Sequence, residues 1–139
     1  MHFKEALRAA GLANPGRTTW SGVAPDGVAV FTIWEHEVHQ INGRWFAYWS
    51  HGGSRESDGE LPSGRKAHAR AFIKRATDNL GRSCRAVVVT AKFDEHGDVS
   101  ADRAEYPHPA WGKVVFRTTD LEALQFIAEL SPPIAELRR

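Results

Sequence analysis

Asn42-Gly43 lies between two runs, Trp34–Ile41 and Arg44–Ser50, that are rich in aromatic and β-branched residues. Asn-Gly favours the paired positive φ angles of a type I′ turn, whose twist matches the strands it joins. Such a turn fixes a register. With Ile41 opposite Arg44, Trp45 faces Gln40, Ala47 faces Val38, Trp49 faces His36 and His51 faces Trp34. Asp26-Gly27 repeats the signal between Trp20–Ala24 and Val28–Trp34. Residues 20–50 therefore read as a three-stranded meander closed by two-residue turns.

Side chains alternate across a sheet. One face of the second hairpin then carries Trp34, His36, Val38, Gln40, Trp45, Ala47, Trp49 and His51. The other carries Glu35, Glu37, His39, Arg44, Phe46 and Tyr48. The first is the more apolar and is expected to look inward. Phe31 and Ile33 fall opposite Trp34, so either a bulge intervenes or both faces are covered there.

Helical spacing marks residues 2–10, with Phe3, Ala6, Leu7 and Ala10 on one stripe and Gly11 as a stop. A longer helix is predicted over 65–80, where Ala69, Phe72, Ile73, Ala76 and Leu80 recur and Gly81 follows. Ala86–Phe93 and Gly112–Thr118 read as strands. Residues 94–111 are mostly polar. Thr119 and Glu122 have capping-box spacing, which predicts a last helix over about 120–130 with Leu121, Leu124, Ile127, Ala128 and Leu130 on its buried side. The polar, Gly-rich stretch 50–64 reads as a flexible loop and 132–139 as a tail that docks or frays. The expected fold is α+β: a mostly antiparallel five-stranded sheet in the order α-β-β-β-α-β-β-α, with helices packed on it.

A chain of 139 residues is a single domain by size. Eighteen Lys plus Arg against seventeen Asp plus Glu leave a net charge of +1, so attraction to nucleic acid must come from a local patch. The single Cys84 excludes an internal disulfide and a multi-cysteine zinc site. Met1–Glu5 lacks the apolar run of a signal peptide, and no stretch approaches the roughly 20 apolar residues of a membrane span. A cytoplasmic location is the expectation, with no cofactor and no membrane partner implied.

Four constellations bear on chemistry. Trp34, Trp45 and Trp49 with His36 and His51 have the residue types of an aromatic slot for a base, and Trp34, Trp49, His36 and His51 are its candidate ligand contacts. Packing in a core is the competing reading of the same rings. Lys66, Arg70 and Lys74 recur every fourth residue on the 65–80 helix, with Arg75 alongside, and form a candidate phosphate-binding stripe; Arg65, Arg82 and Arg85 extend it. Glu35-His36-Glu37-Val38-His39 lacks H-E-x-x-H spacing and a helix to carry it, so it does not make a zinc site without a distant ligand such as His51 or His68. Asp94-Glu95-His96-Gly97-Asp98, with Asp102, Glu105 and His108 beyond it, lacks calcium-loop spacing and reads as a polar turn. The serines have no nucleophile-elbow context, and no phosphate loop is present.

Val30–Trp34, the helix around His68–Ala76, Ala86–Lys92 and Pro109–Val114 together resemble small uncharacterised domains found alone in bacterial prophages or beside nucleases in restriction systems. The resemblance implies a nucleic-acid role and carries over no functional residue. The resulting expectation is a module that binds DNA or RNA, taking a base or modified base into an aromatic pocket. The alternatives are a small metal-dependent or acid–base hydrolase or nuclease using His36, His51 or His68 with Glu35 or Glu37, and a phage- or defence-related domain that binds another protein.

Overall fold

The structure is a computed structural model that describes residues 2–16, 19–50, 63–97 and 99–131. Its elements are α1 (Phe3–Ala9), β1 (Ser21–Val23), β2 (Ala29–Trp34), a short 3-10 helix (Glu35–Glu37), β3 (Val38–Ile41), β4 (Arg44–Ser50), α2 (Ser63–Asp78), β5 (Cys84–Phe93), β6 (Val99–Glu105), β7 (Lys113–Asp120) and β8 (Gln125–Ser131). The fold is α+β and mostly antiparallel, but among the described residues its sheet has eight strands rather than five. They run in the order β1-β2-β5-β7-β8-β4-β3, with β6 also paired to β5.

The Asn42-Gly43 turn forms as its dipeptide predicts, with φ of 52° and 81°. The β3–β4 register follows: Ile41 opposite Arg44, Gln40 opposite Trp45, His39 opposite Phe46 and Val38 opposite Ala47. The first hairpin differs from expectation. Only Gly27 takes a positive φ, of 87°, and a type I′ turn needs one at Asp26 as well. Ala24 N–H donates to Val28 O, and Gly27 N–H to Ala24 O, so three residues with Pro25 leading close the loop. The Asp26 carboxylate accepts the Val28 N–H at 3.1 Å.

The meander stops at residue 34. Glu35–Glu37 coils into the 3-10 helix, so Trp34 and His36 never reach the strand register that the turn would extend to them. Instead β2 pairs in parallel with β5, and β4 pairs with β8 on the edge away from β3. Five strand spacings separate β2 from β3 in the sheet order, or about 24 Å if the sheet were flat. The link from Trp34 to Val38 reaches at most about 14 Å. The sheet must therefore curl until its far edge returns towards β2, and the 3-10 helix accordingly touches both β5 and β4.

The concave side of the curl covers one face of α2. Ala69, Phe72, Ile73 and Ala76 of α2 meet Phe31, Ile33, Val88, Phe116 and Phe126 in one buried cluster, with Trp20, Trp45 and Trp49 packed against it. Phe31 lies 4.5 Å from Phe116 and 5.1 Å from Phe72, ring centre to ring centre. Each such ring, fully buried, contributes roughly 1.5–3 kcal/mol. On the outer face Leu7 of α1 and Ala10 just after it pack on Val30, Val87 and Val89, joined by Trp34 and Tyr106. Both faces of β2 and β5 are thus covered, which explains why Phe31 and Trp34 point opposite ways.

Two segments depart from the sequence reading. Leu124, Phe126, Ala128 and Leu130 are buried while Ile127 is exposed, a period of two. Residues 125–131 are accordingly strand β8, not a helix. β7 runs straight through the presumed cap at Thr119, and the Asp120 carboxylate accepts the Ala123 N–H to close a turn. The polar stretch after residue 94 supplies β6, which pairs with Val88–Phe93 across a bulge at Thr90/Ala91. Leu80, expected on the buried stripe of α2, is 43% exposed. The expected loop 50–64 and tail 132–139 fall largely outside the described residues.

Candidate functional site

The aromatic slot read from the hairpin register does not assemble. Trp34 packs on the α1 side of the sheet, Trp45 and Trp49 on the α2 side. The cause is the 3-10 helix: it ends the β3–β4 ladder before residue 36 and sends β2 to a different neighbour. His36 is exposed beside Trp34 and Phe93, at 5.6 and 5.3 Å between ring centres, and partial burial lowers its pKa. Trp49 stacks on Phe126 at 6.4 Å. His51 lies outside the described residues.

A different aromatic pair forms on α2. Trp20 and His68 stack at 5.8 Å with planes 27° apart. The Trp20 carbonyl accepts both the Thr32 N–H, at 2.9 Å, and the Thr32 hydroxyl, at 2.8 Å, which pins its backbone to β2. One residue on, Ser21 Oγ accepts from Arg75 Nη1 at 2.6 Å. His68 and Arg75 are two turns apart on α2 and so share one flank. Arg70 is exposed, and Lys74 reaches Asp78 at 3.5 Å with both side chains largely in solvent. The Lys66 side chain falls outside those described. Of the predicted stripe, Arg70 and Lys74 face outward, whereas Arg75 is turned to the β1 flank.

Residues from two separate sequence clusters meet at the other end of the fold. His108 Nε2 stands 3.6 Å from Glu35 Oε2. Its Nδ1 accepts the N–H groups of Ala110, at 3.0 Å, and Trp111, at 3.4 Å. Nδ1 is thereby an acceptor, so the neutral ring carries its proton on Nε2, towards the carboxylate. The imidazole lies flat on Trp111, 4.8 Å away and 8° from parallel, and Trp111 in turn meets Trp45 at 5.5 Å. A cavity of about 170 Å³ opens beside His108, with Thr90, Arg103 and Glu105 on its walls. Burial pushes neighbouring Glu37 up to about 7.

Among the described residues no three His, Cys, Asp or Glu side chains converge as metal ligands. No helix among them is long and apolar enough to cross a membrane. Cys84 is buried, and burial raises its pKa, against the smaller opposing effect of Arg82.

No family model, curated protein or solved structure matches the chain. The likeness to prophage and restriction-system domains therefore gains no residue role from known proteins.

Sequence reasoning missed both clusters because each is made by long-range pairing. Trp20 and His68 come from a strand approach and a helix with no shared motif. Glu35 and His108 follow two strands, β2 and β6, that share β5 as a neighbour but no sequence motif. The one local signal was Tyr106-Pro107-His108-Pro109, a proline-bounded loop of the kind that holds a side chain still.

Proposed function

We propose that the chain is a nucleic-acid-binding module that takes single-stranded segments along α2, stacking a base or modified base on the Trp20–His68 pair while Arg70 and Lys74 meet phosphates. The observation that carries this reading is the pairing of a stacked indole and imidazole with Arg75 on one flank of a helix whose outer face bears two exposed cations. Base stacking on an aromatic side chain is worth roughly 1–3 kcal/mol per base. Phosphate contacts add affinity that falls with salt. Lys66 belongs to the same stripe by sequence.

The test is fluorescence anisotropy with single- and double-stranded oligonucleotides, DNA and RNA, at about 50 and 200 mM salt. The expected result is preference for single strands and a salt slope that drops by about 1.4 in an Arg70→Ala/Lys74→Ala variant. Trp20→Ala should weaken binding by roughly 5- to 100-fold. Absence of binding at low salt, or binding unchanged by Lys66/Arg70/Lys74 triple alanine substitution, removes the reading.

A second reading, acid–base hydrolysis, is favoured by one observation. His108, on the wall of a cavity, has its tautomer set by two backbone N–H groups and turns Nε2–H towards the exposed Glu35 carboxylate, which leaves Glu35, not the imidazole, as the oriented base. Turnover of phosphodiester or ester substrates that disappears in His108→Gln would support it. Equal rates in the two proteins would not.

A further inference from the structure

Apart from the two clusters above, β5 changes partner along one edge. Cys84 and Arg85 pair with β7, and from Val88 onward the same edge pairs with β6. A cavity of about 360 Å³ opens in this fork, a size that suits a small ligand. Arg85 and Lys113 are direct cross-strand partners there, and both line the cavity. Directly opposed like charges destabilise an antiparallel pair.

The repulsion is only half relieved within the protein. Arg85 turns Nη1 to Ala10 O at 2.9 Å and makes an ion pair with Asp26, which faces it from the first hairpin. The Asp26 carboxyl is held below its ordinary range, first by the Val28 N–H and then by Arg85. Lys113 is half-buried and has no carboxylate partner among the described residues. Among the described residues no acidic side chain lines the cavity. Arg85 carries five donors and spends three bonds on Ala10 and Asp26, so donor capacity remains. Tyr106 and Ser83 add hydroxyls, while Val28 and Pro107 supply apolar wall.

We propose that this cavity binds a small organic oxyanion, a phosphate monoester or carboxylate, with its charged end between Arg85 and Lys113 and its apolar body against Val28 and Pro107. An anion there turns a repulsive pair into a bridge, with charge-assisted hydrogen bonds from both sides. The site lies on the face of β5 that carries α1, opposite α2, and is independent of the nucleic-acid reading.

Amide chemical shifts of the whole chain, titrated with phenyl phosphate, benzoate and inorganic phosphate, test it. Phenyl phosphate should move the amides of residues 83–86 and 112–114 saturably and bind at least about tenfold more tightly than inorganic phosphate, because only it buries an apolar body. Benzoate against phenyl phosphate ranks the two oxyanions. Lys113→Gln should weaken phenyl phosphate at least about fivefold, and Lys113→Arg should keep it within about twofold. Equal affinity for phenyl phosphate and inorganic phosphate, shifts spread over the α2 cations instead, or unchanged affinity in Lys113→Gln overturns the proposal. If Lys113→Gln loses its dispersed spectrum, acetylation of Lys113 in the wild-type chain decides. Phenyl phosphate should slow it, and an unchanged rate overturns the proposal equally.

Discussion

Glu35 Oε2 and His108 Nε2 lie 3.6 Å apart, although one belongs to the turn after β2 and the other to the loop between β6 and β7. The contact ties the point where the sheet curls to the point where it forks. The two partners contribute unequally. Glu35 is 44% exposed, whereas His108 is 12% exposed, and a polar contact to an exposed carboxylate is worth little. His108 also serves as acceptor for two backbone N–H groups and stacks on Trp111.

His108→Ala is therefore expected to lower unfolding free energy by about 1–3 kcal/mol, the cost of stranding the part-buried Trp111 N–H and losing the stack. Glu35→Gln is expected to change it by less than about 0.5 kcal/mol. Urea unfolding of the two variants measures both. Equal losses would mean that the carboxylate, not the backbone acceptor, holds the loop.

Much of the fold was legible where chemistry is local. Asn42-Gly43 fixed both a turn and four cross-strand pairs. The apolar spacing of Ala69, Phe72, Ile73 and Ala76 marked α2. The misreadings came where two patterns overlap. Leu124, Ile127, Ala128 and Leu130 fit a helix, but Phe126 between them completes an alternation that only a strand satisfies. Thr119-x-x-Glu122 looked like a cap because a capping box and a strand end draw on the same residue types. The aromatic slot failed for a nonlocal reason. Three residues, Glu35–Glu37, prefer a tight turn to a continued ladder, and no local signal tells β2 to pair with β5. The two side-chain clusters were invisible for the same cause.

Gly11 and Gly43 offer a contrast in backbone demand. Both have positive φ, 112° and 81°. A Cβ at Gly43 would meet nothing within 4 Å, whereas one at Gly11 would stand 2.7 Å from Ala24 Cβ. Gly43→Ala is expected to cost about 1–2 kcal/mol for the left-handed backbone alone. Gly11→Ala adds a collision between the end of α1 and the first hairpin, and the expected cost exceeds about 3 kcal/mol. Thermal or urea unfolding ranks them, and equal costs would contradict the close approach at Ala24.

Glu37 sets a pH dependence near neutrality. Burial raises its pKa from 4.5 to about 7. The folded chain therefore holds a proton that the unfolded chain has released, and the associated stability is full below pH 4.5 and declines as pH rises through about 7. Glu37→Gln removes the cost of the buried charge. The variant is expected to gain up to about 3 kcal/mol over the wild type at pH 8 and nothing near pH 4. Paired urea titrations at the two pH values decide this, and a gain that is the same at both would show that the effect is not ionisation.

Glu129 works in the opposite direction and at the acid end. Its carboxylate takes Arg44 at 2.8 and 2.6 Å and Arg117 at 3.2 and 2.9 Å, bridging β4 and β7 across β8. These partners, Arg44 first, hold it at about 2, below its ordinary 4.5. The folded state thus releases this proton more readily than the unfolded state. The stability it supplies is full above pH 4.5 and is lost as pH falls through about 2. At neutral pH, Glu129→Gln leaves two guanidinium groups facing each other without a counter-charge, while Arg44→Ala leaves the Arg117 pair intact. Glu129→Gln is accordingly expected to cost roughly 1–2 kcal/mol, discounted for the exposed arginines, and Arg44→Ala less. In the Glu129→Gln variant the fall in stability between pH 4.5 and 2 should also be shallower than in the wild type. Acid titrations of both proteins, followed by circular dichroism, test the slope. An unchanged slope would mean that other carboxylates govern acid unfolding.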